Sequence, residues 1–202
     1  PAIGFGFAEG VRTLLRQDPD IIMVGEIRDR ETADIAVQAA LTGHLVLSTI
    51  HTNDAPSAVT RLLELGMAPY LLNSSLLGVL AQRLVRRLCP FCKQASPTDS
   101  DAWQALITPF RSDPPAKVYQ AVGCEECRGT GYRGRLGIYE LMQVTDELRA
   151  LITPATELRQ LQQYAIRQGT TPLRIAGARK VAAGHTAIEE VIRVVATAQR
   201  RA

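Results

Sequence analysis

Residues 18–54 read DPDIIMVGEIRDRETADIAVQAALTGHLVLSTIHTND, and this stretch decides the fold class. It holds two short apolar runs, IIMVG at 21–25 and LVL at 45–47. Residues 30–42 lie between the runs and place their apolar side chains at helical spacing, with Gly43 ending the helix. Strand, helix and strand in this order predict an α/β domain with a parallel sheet. The apolar runs predict strands that are buried on both faces.

The rest of the chain predicts three parts. Further helices are predicted over 7–17, 55–65 and 72–88. Residues 89–133 hold all four cysteines, the only tryptophan and five of the eleven prolines with little periodicity, which indicates a small irregular module. A strand is predicted over 135–142, and helices near 145–152, 155–168, 172–183 and 186–199. The predicted division is 1–88 for the α/β part, 89–133 for the module and 134–202 for a C-terminal strand and helical subdomain.

Composition excludes several classes of protein. The 202 residues are 46% hydrophobic and 21% charged, as in globular proteins and unlike disordered tails, collagens or coiled coils. A net charge of +3 does not require nucleic acid or acidic lipid as a partner. No apolar stretch approaches the roughly 20 residues of a membrane span, and the first residues do not read as a signal peptide. Since Pro1 is not an initiator methionine, we expect a portion of a longer protein.

The cysteines form two pairs, Cys89 with Cys92 and Cys124 with Cys127, with 31 residues between the pairs. Two such CxxC knuckles can close a tetrahedral Zn²⁺ shell, and glycines beside the second knuckle suit its tight turns. The alternative is two disulfides or four free thiols. Four sulfur ligands leave no open position for water, so the pattern predicts a structural rather than a catalytic metal.

Glu26 ends the first apolar run and is the candidate catalytic residue. In P-loop NTPases a strand of this kind delivers a carboxylate beside Mg²⁺ and the γ-phosphate, where it can orient or deprotonate water. The pattern alone is weak, because many strands end in Glu and because Gly25 stands where an Asp is usual. None of the three lysines completes a Walker A loop.

Two histidines and two arginines are further candidates. His44 and His51 flank the second run and can contact a phosphate, or they are a core and a loop-capping histidine. Arg61 and Arg83 lie on predicted helices and can stabilise phosphate charge, or they belong to a solvated basic face.

The combination resembles the secretion ATPase family, the hexameric motors of bacterial type II secretion and type IV pilus assembly. The residues that carry the resemblance are LRQDPDIIMVGEIRDRETADIAVQAALTGHLVLSTIHTNDA at 15–55 and QRLVRRLCPFC at 82–92. It implies a RecA-like P-loop ATPase domain whose Walker A loop precedes residue 1. It also implies that Gly25 and Glu26 form an atypical Walker B box, that His44 and His51 form a histidine box, and that Arg61 and Arg83 face the nucleotide or the next subunit. The four cysteines match the family's zinc module.

The resemblance further implies a homo-hexamer that hydrolyses ATP with Mg²⁺ on the cytoplasmic face of the inner membrane. There it would act on inner-membrane platform proteins, and not on nucleic acid, to power pseudopilus assembly and protein export. Type IV pilus assembly is the alternative, and without its Walker A loop this portion alone is expected to be inactive. A hypothesis of another class is a zinc-ribbon module that binds nucleic acid or docks a partner without catalysis.

Overall fold

A computed structural model describes Gly10, Thr13 and residues 17–199, so the helix predicted over 7–17 lies largely outside the described residues. The strands are β1 (Ile21–Val24), β2 (Leu45–Ser48), β3 (Gly78–Leu88), β4 (Gln94–Pro97), β5 (Lys117–Gln120) and β6 (Tyr132–Gln143). The helices are α1 (Arg30–Leu41), α2 (Ala55–Glu64), α3 (Pro69–Ser75), α4 (Ser100–Ile107), α5 (Asp146–Leu151), α6 (Leu158–Arg167), α7 (Leu173–Ala182) and α8 (Ile188–Gln199).

The chain divides into two compact units, each made of two segments. The first consists of residues 1–79 and 142–168, and the second of residues 80–141 and 169–202. These units do not test the three-part division 1–88, 89–133 and 134–202, which stays a prediction.

The first unit contains the predicted strand–helix–strand motif. Strands β1 and β2 pair in parallel, with Ile21 opposite Leu45 and the register kept to the end of both strands. Helix α1 connects them and begins at the N-cap Asp29, whose side chain accepts a hydrogen bond from the Thr32 amide at 2.8 Å. The parallel pairing confirms the α/β prediction.

The prediction that both strands are buried on both faces is wrong for the described residues. Ile22 and Val24 pack against alanines of α1 and are buried. Ile21 and Met23 point the other way and are 60% and 76% exposed. Successive side chains of a strand alternate between faces, and within the described chain α1 covers one face only.

The predicted helix over 55–65 is confirmed, whereas that over 72–88 is wrong. Helix α2 begins after its N-cap Asp54, with a proline in its first turn. Helix α3 ends at Ser75, and the chain then runs as the extended strand β3 from Gly78. Strand β3 pairs with β6, the strand predicted over 135–142.

The cysteine-containing module has more regular structure than its sequence predicts. Strands β4 and β5 are antiparallel, with Gln94 opposite Gln120 and Pro97 opposite Lys117. Helix α4 between them is capped by Asp99 and buries Trp103.

The helices predicted after Val144 are confirmed as α5 to α8. In the second unit α8 carries Glu190, a carboxylate that is only 1% exposed. It accepts hydrogen bonds from the Arg86 backbone amide at 3.0 Å, from the Arg86 guanidinium at 2.9 and 2.7 Å, and from Arg193 at 3.1 and 2.8 Å. The pKa of Glu190 is lowered to about 2, because the two arginines outweigh the opposing effect of its burial. Strand β3 and α8 are thereby joined by a fully hydrogen-bonded ion network.

Among the described residues, no helix combines the length and the apolarity that crossing a bilayer requires.

Candidate functional site

Glu26 lies just beyond the carboxyl end of β1, in the loop that leads to α1. The backbone on both sides of it is tied to the segment that follows β2. The Thr49 hydroxyl donates to the Gly25 carbonyl at 2.7 Å, and the Ile27 amide donates to the Thr49 carbonyl at 2.8 Å. Ligands of open parallel sheets bind at the carboxyl ends of the strands, which is where these residues lie.

The Glu26 carboxylate is held from two sides. Arg28 reaches Oε2 with Nε at 2.8 Å and with its terminal nitrogen at 2.6 Å, and His51 Nε2 lies 3.1 Å from Oε1. The hydrogen bond from Arg28 lowers the pKa of Glu26, and the charges of Arg28 and His51 act in the same direction against partial desolvation. Glu26 is therefore ionised at neutral pH.

His44 occupies a different environment from His51. Its Nδ1 lies 3.0 Å from the Ala39 carbonyl and 3.1 Å from the Thr42 hydroxyl, at the C-terminal end of α1. Since a carbonyl oxygen only accepts, Nδ1 carries the proton, and in the neutral ring Nε2 is left as an acceptor. Of the two histidines, the structure brings His51 into contact with Glu26 and holds His44 on the helix end.

The two candidate arginines lie on different kinds of element. Arg61 is on α2 as predicted, where it pairs with Glu64 at 3.2 Å. Arg83 lies on strand β3 rather than on a helix, which corrects the prediction, and its guanidinium donates to the Gln82 carbonyl at 2.8 Å. Arg83 belongs to the second unit.

The four cysteine side chains meet in the second unit with all sulfur atoms within 4.8 Å of one another. Neighbouring Sγ atoms are 3.9 Å apart for Cys89 and Cys124, and 3.8 Å apart for Cys92 and Cys127 and for Cys124 and Cys127. Sulfurs at about 2.3 Å from a tetrahedral Zn²⁺ lie about 3.8 Å from each other. The donor set and its spacing therefore fit a four-coordinate metal, and the structure contains no disulfide between these residues.

Backbone amides point at the sulfur atoms of both knuckles. The Gly123 amide donates to Cys92 Sγ at 3.3 Å, and the Gly131 amide donates to Cys127 Sγ at 3.1 Å. Gly123 has φ +118°, and a Cβ there would lie 2.6 Å from the Gly129 carbonyl oxygen, so only glycine fits. Such donors stabilise negative charge on sulfur, as metal binding requires.

The thiols differ in acidity. Burial raises the pKa of Cys127, but the amides of Cys124 and Gly131 together with the adjacent thiols reverse that effect and lower it to about 6. Burial and the neighbouring sulfurs raise the pKa of Cys92 to about 12. Without a cation the cluster thus ionises readily at one sulfur, and a bound divalent ion would supply the charge that deprotonates the others.

Sequence reasoning missed two contributors to the site at the sheet edge. Arg28 donates hydrogen bonds to the Glu26 carboxylate, and the Thr49 hydroxyl, just after the second strand, donates to the Gly25 carbonyl. The signal for Arg28 is its position two residues after an acid in an irregular loop. Thr49 is recognisable only once β1 and β2 are known to be parallel neighbours.

The chain was compared with known proteins. Residues 1–193 match the family model described as "Type II/IV secretion system protein". The chain is 59% identical to the type IV pilus assembly ATPase TfpB of Acinetobacter baylyi, a match that covers 96% of this chain and 33% of that protein. It is 55% identical to the type II secretion system protein E of Pseudomonas aeruginosa, over 93% of this chain and 37% of that protein. The chain spans about a third of the length of these relatives.

Solved structures share the fold. The ATPase DotB of Yersinia pseudotuberculosis matches with a TM-score of 0.64 and 20% identity, over 95% of this chain and 40% of that one. The pilus retraction motor PilT with bound ADP matches with a TM-score of 0.62 and 27% identity, over 93% of this chain and 43% of that one. These neighbours confirm an α/β ATPase fold. The chain belongs to the type II/IV secretion system protein family, as its Walker B-like, histidine and cysteine motifs predict.

Proposed function

We propose that this chain is the C-terminal part of an ATPase that powers type II secretion, with Glu26 as the residue that activates the attacking water. One observation carries the proposal: an ionised carboxylate at the carboxyl end of a parallel strand is held between Arg28 and His51. Membership of the family supplies the reaction class. Type IV pilus assembly is the second candidate, because a pilus ATPase and a secretion protein match at 59% and 55% identity.

In this proposal water is the nucleophile and Glu26 accepts its proton at the carboxylate. The chemistry needs no covalent intermediate, because phosphoryl transfer rests on positioning and charge stabilisation. His51 fixes the orientation of Glu26, while Gly25 lets the strand end closely beside the nucleotide. His44, Arg61 and Arg83 are proposed to contact the nucleotide or the next subunit. Mg²⁺, when bound, neutralises phosphate charge.

We further propose that the cysteine cluster holds a structural Zn²⁺. The three sulfur–sulfur distances of 3.8–3.9 Å and the amides aimed at two of the sulfur atoms support this assignment. From membership of the family we also propose that the protein forms a homo-hexamer on the cytoplasmic face of the inner membrane. There it would act on platform proteins of the secretion system. The parts 1–88, 89–133 and 134–202 would serve nucleotide chemistry, metal binding and docking.

The test is phosphate release by the complete gene product that contains these residues. Glu26→Gln keeps the shape of the side chain and removes the base, so we expect kcat to fall by about 100-fold or more while nucleotide binding persists. Glu31→Gln, on the exposed first turn of α1, is the matched control and is expected to match the wild type. Unchanged turnover in Glu26→Gln would exclude Glu26 as the base.

Complementation distinguishes the two systems. The gene is expected to restore protein export to a strain that lacks its type II secretion ATPase. Rescue of piliation alone would favour the pilus candidate. If the complete product shows no turnover and instead binds DNA in a salt-dependent manner, the nucleic-acid-binding zinc-ribbon hypothesis replaces both.

A further inference from the structure

Asp54, the residue that caps the N-terminus of α2, is hydrogen-bonded to two different parts of the first unit. Asp54 Oδ1 accepts the Ser57 amide at 2.8 Å, which is an ordinary helix cap. Asp54 Oδ2 accepts a hydrogen bond from the side-chain amide of Gln162 at 2.7 Å. Gln162 lies on α6, more than a hundred residues further along the chain. A hydrogen bond to an ionised acceptor is among the stronger kinds in proteins.

The capping residue, Asp54, lies immediately beside the loop that carries His51. Only two residues separate Asp54 from His51, and the Thr52 hydroxyl between them donates to the Asp54 carbonyl at 3.1 Å. His51 in turn contacts Glu26 at 3.1 Å. The loop from Thr49 to Asn53 contains no helix or strand, so its position depends on its two ends. Thr49 fixes one end against β1, and the cap at Asp54 fixes the other.

We propose that Gln162 is a positioning residue for the His51–Glu26 pair, acting through Asp54. The inference rests on the proposed function. It means that the position of α6 affects the loop that carries His51. Helix α6 packs on α2, so a change in the position of α6 moves the cap and, with it, the end of the loop that carries His51. If the Asp54 carboxylate loses the hydrogen bond from Gln162, a water molecule takes the place of that donor, because Asp54 is only partly buried.

The experiment uses the complete gene product with three substitutions at one position and one control. Gln162→Leu removes the hydrogen-bond donor. Gln162→Glu keeps the shape of the side chain, removes the donor and adds a negative charge that repels Asp54. Gln162→Lys restores a donor and adds an attractive charge. Gln163→Leu, on the exposed side of the same helix, is the matched control.

We expect kcat to fall about tenfold in Gln162→Glu and several-fold in Gln162→Leu, with KM within about twofold of wild type, since small misplacements cost turnover rather than binding. Gln162→Lys and Gln163→Leu are expected to stay within about twofold of wild type in kcat.

The outcomes separate the inference from the proposed function. If Gln162→Leu and Gln162→Glu turn over like the wild type while Glu26→Gln is inactive, the positioning role is refuted and the function stands. A defect in Gln162→Lys as large as that in Gln162→Leu, or a rise in KM that accompanies the fall in kcat, means that α6 is merely destabilised and also refutes the role. If Glu26→Gln remains active, the proposed function fails, and the inference fails with it.

Discussion

Replacing Glu190 with glutamine removes a buried negative charge and keeps the size of the side chain. The carboxylate receives five hydrogen bonds from Arg86 and Arg193, and its pKa is lowered from 4.5 to about 2. Each unit of difference in pKa between the folded and the unfolded chain is worth about 1.4 kcal/mol, so the lowered pKa of Glu190 corresponds to about 3 kcal/mol of stability at neutral pH. Because both arginines are half exposed and regain water in the variant, we expect a loss of about 2–3 kcal/mol.

The pH dependence follows from the direction of the shift. The folded protein holds the Glu190 proton more weakly than the unfolded chain does, so the stabilisation is complete above about pH 5 and decreases as the pH falls towards 2. About half of it is lost by about pH 3. Glutamine does not titrate, so the stability gap between wild type and Glu190→Gln must narrow over this range.

The assay is urea unfolding of the 202-residue chain, followed by the fluorescence of Trp103, its only tryptophan. Trp103 is buried in the same unit as Glu190, so its emission reports on that unit. Glu189→Gln, at the exposed neighbouring position, is the control and is expected to change stability by less than about 0.5 kcal/mol. Equal midpoints for the two variants at pH 7, or a gap that does not change between pH 7 and pH 3, would refute the reasoning.

Two further predictions concern the same unit. Single Cys→Ser variants at Cys89, Cys92, Cys124 and Cys127 are expected to lose the bound zinc and to unfold at a lower urea concentration, because a tetrahedral shell cannot close on three sulfurs. Zinc content is measured by atomic absorption, and full zinc content in all four variants would refute the metal assignment. Gly177→Ala is expected to destabilise the chain by about 1–3 kcal/mol although alanine favours helices, because the new Cβ would lie 2.3 Å from Val191 Cγ1. The double variant with Val191→Ala should lose less stability than the two single losses added together, and strict additivity in urea unfolding would contradict the clash.

The strand–helix–strand motif could be predicted because its signals are local. Each apolar run is short, the helix between the runs is periodic, and Asp29 and Gly43 mark its ends. The same local reasoning predicted burial on both faces, which residues 21–24 do not show. Periodicity reports that a segment is apolar, but which elements cover its faces is decided by packing from elsewhere in the protein.

The error over 72–88 has a specific cause. The buried side chains of β3 are Ala81, Val85 and Leu88, at spacings of four and three residues that imitate a helix. On the inward side of the strand an arginine, Arg83, stands where an apolar residue would have shown the alternation of a strand. What makes this segment extended is its pairing with β6, about fifty residues away, and no local pattern contains that information.

The candidate site divides in the same way. The cysteine cluster was predictable because two CxxC knuckles carry their geometry in their spacing. The contact of His51 with Glu26 could be anticipated from the parallel sheet, whereas the roles of Arg28 and Gln162 depend on side-chain positions that only the structure supplies.

The cysteine cluster also makes the chain between its knuckles a suitable place to insert a tag or a reporter domain. The 31 residues from 93 to 123 leave and return at the same four sulfur atoms, and residues 111–114 at the far end are exposed. The cost of closing a flexible loop rises by only about 0.6 kcal/mol for each doubling of its length. A fluorescent protein placed between Asp113 and Pro114 would therefore leave the knuckles closed and allow the protein to be followed in living cells.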